Sequence, residues 1–155
     1  MKTTKAKGFT LIELIVVIAI IGVLAAILVP TMLGYVTKSR CSSANANAKS
    51  FYNAINSALV DLDSEGAVDI STINGGTTLD TALQPKVKNY FADYQRLSGY
   101  EYALTNSTCT ALWVKSGSYF GSYPVPTVVD TNGLTQGKDY SSDCKNQPDI
   151  AKCAN

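Results

Sequence analysis

The chain has 155 residues, enough for one domain plus an appendage, and a formal charge of +1. That balance excludes the basic excess of a typical nucleic-acid binder. With no histidine in the chain, the imidazole on which most acid–base, nucleophilic and metal-ligand arrangements rely is missing. Four cysteines, Cys41, Cys109, Cys144 and Cys153, include no CxxC and read as two disulfides rather than zinc ligands. Disulfides imply an oxidising space outside the cytosol.

The N-terminus begins with a short basic leader containing Lys2, Lys5 and Lys7, followed by Gly8 and Phe9. From Leu11 to Val29 the run is nineteen residues with one charge, Glu13. As a helix this run is about 28 Å long, close to the hydrocarbon thickness of a bilayer. A secretory apolar region is shorter, about 7–15 residues, and ends in a small-residue cleavage site. No such site follows this run, so it reads as a membrane span. The leader lysines hold the N-terminus on the cytoplasmic side. Glu13 does not suit a plain anchor, because a carboxylate deep in a span costs on the order of 3 kcal/mol. One reading places it in the first helical turn, near the interface and favoured by the positive end of the helix dipole. The other supplies a cation at its level: cleavage after Gly8 would create an α-amine on Phe9, one turn away.

Beyond Pro30 the pattern stays helical. Ala44, Ala48, Phe51, Ile55, Ala58, Leu59 and Leu62 recur at three- and four-residue steps, with Ser43, Asn47, Ser50, Asn53, Asn56 and Ser57 between them. This predicts one long helix from about Phe9 to Asp63, kinked near Pro30, whose second half is amphipathic. The acidic cluster Asp61 to Glu65 lacks the spacing of a twelve-residue calcium loop and reads as a solvated helix end stopped at Gly66. A short helix is predicted over Thr78 to Gln84, stopped before Pro85, and a second over Lys86 to Leu97. Strands follow at Tyr100–Leu104, at Thr108–Lys115 and from Ser118, separated by turns at Asn106-Ser107 and Ser116-Gly117. Alternation in the second strand predicts Cys109, Ala111 and Trp113 on one face and Thr110, Leu112 and Val114 on the other. A last short strand is expected over Thr127 to Asp130. The fold class is therefore α+β: a long N-terminal helical stalk, half transmembrane and half amphipathic, packed on a small antiparallel sheet of three or four strands.

No catalytic constellation appears. The chain has no nucleophile elbow, no phosphate-cradling glycine loop and no metal-spaced set. It therefore reads as a non-enzyme without a cofactor or metal. Asn106-Ser107-Thr108 matches a glycosylation sequon but reads as a β-turn, and Asp130-Thr131-Asn132-Gly133 reads as a turn rather than a calcium site. The tail is polar and strand-poor. Three pairings of the four cysteines are open. A Cys144–Cys153 bridge closes a short loop bent at Pro148 and leaves Cys41–Cys109 to tie the stalk to the second strand. The main rival is Cys41–Cys153 with Cys109–Cys144.

Gly8-Phe9-Thr10-Leu11-Ile12-Glu13, followed by an almost uninterrupted apolar helix, resembles the class III signal of type IV prepilins and pseudopilins. The resemblance covers roughly residues 5–40. It implies a leader at residues 1–8, a transmembrane and filament-core helix at 9–37, and an α+β head at 38–155. It implies that a prepilin peptidase cuts after Gly8 and methylates the new N-terminus at Phe9. Glu13 would then pair with the N-terminal amine of a neighbouring subunit, and Gly22 and Pro30 would mark where the helix loosens in a filament. The Cys144–Cys153 loop is similar to the disulfide-bounded C-terminal loop of many type IV pilins. Loss of the three leader lysines takes the formal charge from +1 to −2. The implied function is a structural subunit of a type IV pilus, a homo-oligomeric helical filament built on an assembly platform. Such a subunit waits in the cell membrane before assembly and is extracellular after it. A pseudopilin of a secretion or DNA-uptake system and a minor tip adhesin are the alternatives.

Overall fold

The computed structural model describes residues 8–66, 68–127 and 144–154. The chain divides into two compact units, one ending at Val36 and the other beginning at Thr37. A single helix, α1 (Leu11–Glu65), contributes to both. It contains a stretch long and apolar enough to cross a bilayer.

The second unit is α+β. It holds the remainder of α1, a short helix α2 (Leu83–Tyr90), and strands β1 (Gly99–Thr105), β2 (Thr108–Ser116) and β3 (Tyr119–Tyr123). The strands form an antiparallel meander in the order β1-β2-β3. The three- and four-residue spacing along α1 is realised in packing: Cys41, Ala44, Ala48, Phe51, Ile55, Ala58, Leu59 and Leu62 are all buried. Phe51 is central. Its ring meets Tyr100 edge-on at 5.0 Å and lies 5.8 Å from both Phe91 and Tyr94. Burying one such ring contributes about 1.5–3 kcal/mol. The helix ends where the sequence changes character. Gly66 takes a left-handed conformation with φ of +60° and donates its N–H to the Asp63 carbonyl, a backbone geometry that glycine adopts without steric cost.

Alanine positions on α1 let the sheet approach closely. Where β3 crosses α1, Gly121 sits directly over Ala44. Next to that contact, Asn45 closes the outer edge of β3. Its Oδ1 accepts from the backbone N–H groups of Ser122 (3.0 Å) and Thr127 (3.1 Å), and its Nδ2 donates to the Thr127 carbonyl (2.8 Å). The Thr127 hydroxyl donates to the Phe120 carbonyl at 2.7 Å, and the Phe120 N–H donates to the Cys144 carbonyl at 2.6 Å. An edge strand left open would expose such groups to another chain. Here a helix side chain and the two segments bounding residues 128–143 take them up.

Several expectations are corrected. The faces of β2 do not alternate throughout. A register shift between Ala103 and Leu104 sets Ala103 opposite Ala111 but Leu104 opposite Cys109, so Thr110 is the extra residue of a β-bulge. The bulge moves Cys109 to the α1-facing core with Leu112 and Val114, while Ala111 and Trp113 face the other side. That second face is covered by the tail, where Cys153 and Ile150 pack with Trp113 and Phe120. Pro85 does not stop a helix; it lies in the first turn of α2, where a backbone N–H has no intrahelical acceptor to lose. That turn is started instead by Asp80, whose side chain accepts from the Ala82 N–H at 2.9 Å and whose carbonyl accepts from Leu83 and Gln84 at 3.0 Å. The helix expected over Lys86 to Leu97 breaks at Phe91 (φ −146°, ψ 79°) and resumes as a 3₁₀ turn, Ala92–Arg96. The break brings both Phe91 and Tyr94 against Phe51. In the expected last strand, Thr127 is not in a strand, and residues 128–130 lie outside the described ones together with the Asp130–Gly133 turn.

The Cys41–Cys109 bridge is also corrected. Cys109 is held beside Asn56, whose Oδ1 accepts the Cys109 N–H at 2.9 Å. Cys41 lies fifteen residues earlier on the same helix, about 22 Å along its axis, and its sulfur is 3.7 Å from the Thr127 carbonyl. A disulfide needs Cα atoms within about 7 Å. Both residues are buried free thiols.

Candidate functional site

The residues singled out from the sequence do not converge on a pocket. Gly8, Phe9, Glu13, Gly22 and Pro30 follow one another along a single segment. Every residue from Gly8 to Val36 is exposed, including Leu11 and Tyr35 at 75% each, and Glu13 is the only charged residue among them. A continuous apolar surface of this size needs an apolar environment, either lipid or protein.

The first turn of α1 explains how a carboxylate is accommodated in such a segment. Thr10 precedes the helix and Glu13 is its third residue. The Thr10 hydroxyl oxygen accepts from the Glu13 N–H at 3.3 Å, while Glu13 Oε2 accepts from the Thr10 N–H at 2.9 Å and from the Thr10 hydroxyl. This reciprocal arrangement is a capping box, which satisfies two of the backbone donors that a helix start leaves unpaired. Both bonds fall on Oε2. Glu13 thus has a structural role within its own chain, beyond the general attraction of a carboxylate for the helix N-terminus. Thr10 was missed as a site residue, although Thr-x-x-Glu ahead of an apolar run is a readable signature of a capping box.

Gly8 and Phe9 lie ahead of α1, outside regular secondary structure, and both are exposed. Gly22 lies within α1, and a Cβ built there meets nothing within 4 Å. Its effect is therefore one of helix propensity, where glycine is about 1 kcal/mol less favourable than alanine. Pro30 also lies inside α1. It has no N–H to give the Ala26 carbonyl, so one rung of the helical ladder is absent. Nearby, the Thr31 hydroxyl donates to the Leu28 carbonyl at 2.8 Å.

In the second unit Cys144 and Cys153 are both fully buried. Their backbones flank β3, through the Phe120 N–H to Cys144 and the Val125 N–H to the Cys153 carbonyl at 3.2 Å. The 3₁₀ turn Ile150–Cys153 is capped by the Asp149 carboxylate, which accepts from the Ala151 N–H at 3.1 Å. The tail is therefore fastened to the sheet by its backbone as well as by packing. The sequon Asn106-Ser107-Thr108 forms the β1–β2 turn. Asn106 and Ser107 both have positive φ, 51° and 58°, as a two-residue hairpin of the I′ type requires. Among the described residues no group of three or more carboxylate, thiol or imidazole side chains is placed to hold a metal ion.

Residues 3–29 match the family model of the prokaryotic N-terminal methylation motif. The chain is 50% identical over 48 residues to the type IV major pilin protein PilA of Myxococcus xanthus, covering 31% of this chain and 22% of that protein. It is 38% identical over 85 residues to the type IV major alpha-pilin of Moraxella bovis, covering 52% of this chain and 53% of the relative. It is 46% identical over 55 residues to the type IV major fimbrial protein FimA of Dichelobacter nodosus, covering 36% and 35%. The chain thus spans about half or less of the length of these relatives. No solved structure matches it significantly. The chain thus carries an N-terminal methylation motif on an exposed apolar helix and is similar, over about half of its length or less, to type IV major pilins and fimbrial proteins.

Proposed function

We propose that this chain is the structural subunit of a type IV pilus filament. The observation that carries the reading is the exposed segment from Gly8 to Val36, helical from Leu11 onward and uncharged except for one capped carboxylate, overlapping a methylation motif. Such a surface can be solvated in turn by lipid and by identical helices of neighbouring subunits. Residues 1–8 form a leader, 9–37 the membrane and filament-core helix, and 38–155 the head. A prepilin peptidase removes the leader after Gly8, on the cytoplasmic side, and methylates Phe9. The subunit then leaves the membrane at an assembly platform and joins an extracellular homopolymer. Its role is structural, with no catalysis of its own.

Within that reading, Glu13 has two successive partners. Thr10 caps it in its own chain, through Oε2. After cleavage the Phe9 amine of an adjacent subunit pairs with it, and a burial that would cost several kcal/mol for a lone carboxylate becomes a charge pair. Gly22 and Pro30 let the helix between them stretch where packing in the filament demands it. Cys144 and Cys153 form the disulfide that closes the tail loop. Heterologous contacts of this kind repeat without closing and generate an open filament.

Mass spectrometry of filaments sheared from the cell surface tests the reading. The expected chain begins at Phe9, carries one methyl group on its amine and contains a Cys144–Cys153 disulfide. Surface material lacking this chain, or an N-terminus at Met1, would overturn it.

A further inference from the structure

The part of α1 that braces the head is divided by charge. Residues 37–60 contain Lys38, Arg40 and Lys49 and no acidic side chain, whereas residues 61–69 contain Asp61, Asp63, Glu65 and Asp69 and no basic one. At 3.6 residues per turn, Lys38, Lys49, Val60 and Asp63 fall in one stripe, and all four are exposed. The stripe is turned about 120° around the helix from the buried face defined by Phe51 and Ile55, and at its edge the Lys49 ammonium lies 5.8 Å from the centre of the Tyr123 ring in β3. The acidic end coincides with the helix C-terminus, where carboxylates oppose the helix dipole, and the last turn holds no basic residue. Two of the three helical carboxylates have partners: Lys86 pairs with Glu65, and the Tyr90 hydroxyl donates to Asp61 at 2.7 Å. Among the described residues the Asp63 carboxylate has neither a hydrogen bond nor an ion pair. Beside it Val60 is 68% exposed, between shallow hollows lined by Asn56, Tyr90 and Ile70. A local choice that costs stability in the single chain, next to an exposed apolar side chain, is the pattern expected of a contact surface.

We propose that this face of α1 docks against a second copy of the chain displaced along the helix axis, with the acidic end of one copy meeting the basic half of the next. The inference rests on the filament reading, which makes neighbouring copies parallel. Parallel copies in register would set lysine against lysine and aspartate against aspartate, and such juxtapositions cost several kcal/mol. A displaced pair opposes unlike charges, and the same contact is then available to a third copy, so the stagger of the subunits follows from the charge pattern.

Zero-length carbodiimide coupling of sheared filaments, followed by peptide mapping, tests this directly. Lys49 and Asp63 are fourteen residues apart on one helix and Lys38 and Asp63 twenty-five, about 21 Å and 38 Å along the axis. An isopeptide bond between either lysine and Asp63 must therefore join two copies that are not in register. Coupling at Lys49–Asp63 or Lys38–Asp63, in a ladder of species beyond the dimer, is the expected result. Filaments that contain this chain but give no such bond, or coupling that stops at a dimer, would overturn the docking surface and leave the filament reading standing. Absence of any filament would overturn both. Charge reversal supplies the second arm. Asp63→Lys and Lys49→Glu should each lower filament yield about tenfold through like-charge contact, and the double variant should restore it. Single variants with wild-type yield, or a double variant no better than either, would count against the contact.

Discussion

Gly121 of β3 lies so close to Ala44 of α1 that a Cβ on the glycine would come within 2.1 Å of the Ala44 carbonyl carbon and oxygen. The contact is backbone to backbone, so no rotamer change can relieve it. It sets the distance at which the next pair of residues, Asn45 and Ser122, forms its 3.0 Å hydrogen bond. Gly121→Ala should therefore push β3 off the helix and destabilise the fold by about 3 kcal/mol or more, at or above the usual range for overpacking. Denaturant unfolding of the detergent-solubilised chain, followed by fluorescence of its single tryptophan, Trp113, measures this. An unchanged midpoint would mean that the strand can move at little cost.

Asn45 carries a larger polar load than its place on a helix surface suggests. Asn45→Ala strands the N–H groups of Ser122 and Thr127 in a buried setting, and each unsatisfied group costs about 1–3 kcal/mol. We expect a loss of about 2–4 kcal/mol and faster hydrogen exchange at the Ser122 amide. Asn53→Ala, at an exposed position on the same helix, should stay within about 0.5 kcal/mol of wild type. Equal effects of the two substitutions would show that Asn45 is not what holds the edge.

Cys109 predicts an alkaline sensitivity. Burial pushes its thiol up from 9.0 to about 12, partly offset by a backbone hydrogen bond at Ala111. The folded state therefore holds a proton that the unfolded chain releases earlier. The corresponding stability is fully present below pH 9 and is lost as pH rises from about 9 to 12. Burial also raises the Tyr102 phenol, which acts in the same direction at higher pH. Melting temperatures of wild type and Cys109→Ala between pH 8 and 11, values chosen to bracket that window, should show the shallower decline in the variant. Parallel slopes would remove the thiol from the account.

Processing and assembly separate cleanly in two variants. Gly8→Ala should block leader removal on the proposed peptidase reading without disturbing the fold, since Gly8 is exposed and a Cβ there meets nothing within 4 Å in the chain itself. Intact mass read on the membrane fraction checks it, and efficient loss of residues 1–8 would refute it. Glu13→Ala should leave membrane insertion and the Trp113-monitored melting of the head unchanged while lowering filament yield. The lost cap costs only about 1 kcal/mol at the start of α1, so any large effect must come from a partner outside the chain. Wild-type yield would dismiss the intersubunit pairing.

Much of this protein was legible residue by residue. The apolar run, the position of Glu13, the buried stripe from Ala44 to Leu62 and the three-strand meander all follow from periodicities of 3.6 and 2, which are local properties of the chain. Even the capping box was written in Thr10 and Glu13, three residues apart. Tertiary structure decided what local rules cannot express. The bulge at Thr110 reversed the facing of Cys109, because register depends on how β1 fits β2 rather than on β2 alone. The separation of Cys41 from Cys109 follows from which turn of α1 meets which strand, so pairing by elimination among four cysteines failed. Asn45 looks like any polar helix residue until β3 arrives beside it. For the cysteines and Asn45 the deciding quantity is a distance between segments far apart in sequence, and for the bulge it is the fit of one strand against its neighbour. A one-dimensional pattern carries no information about such distances until the helix and the sheet have packed.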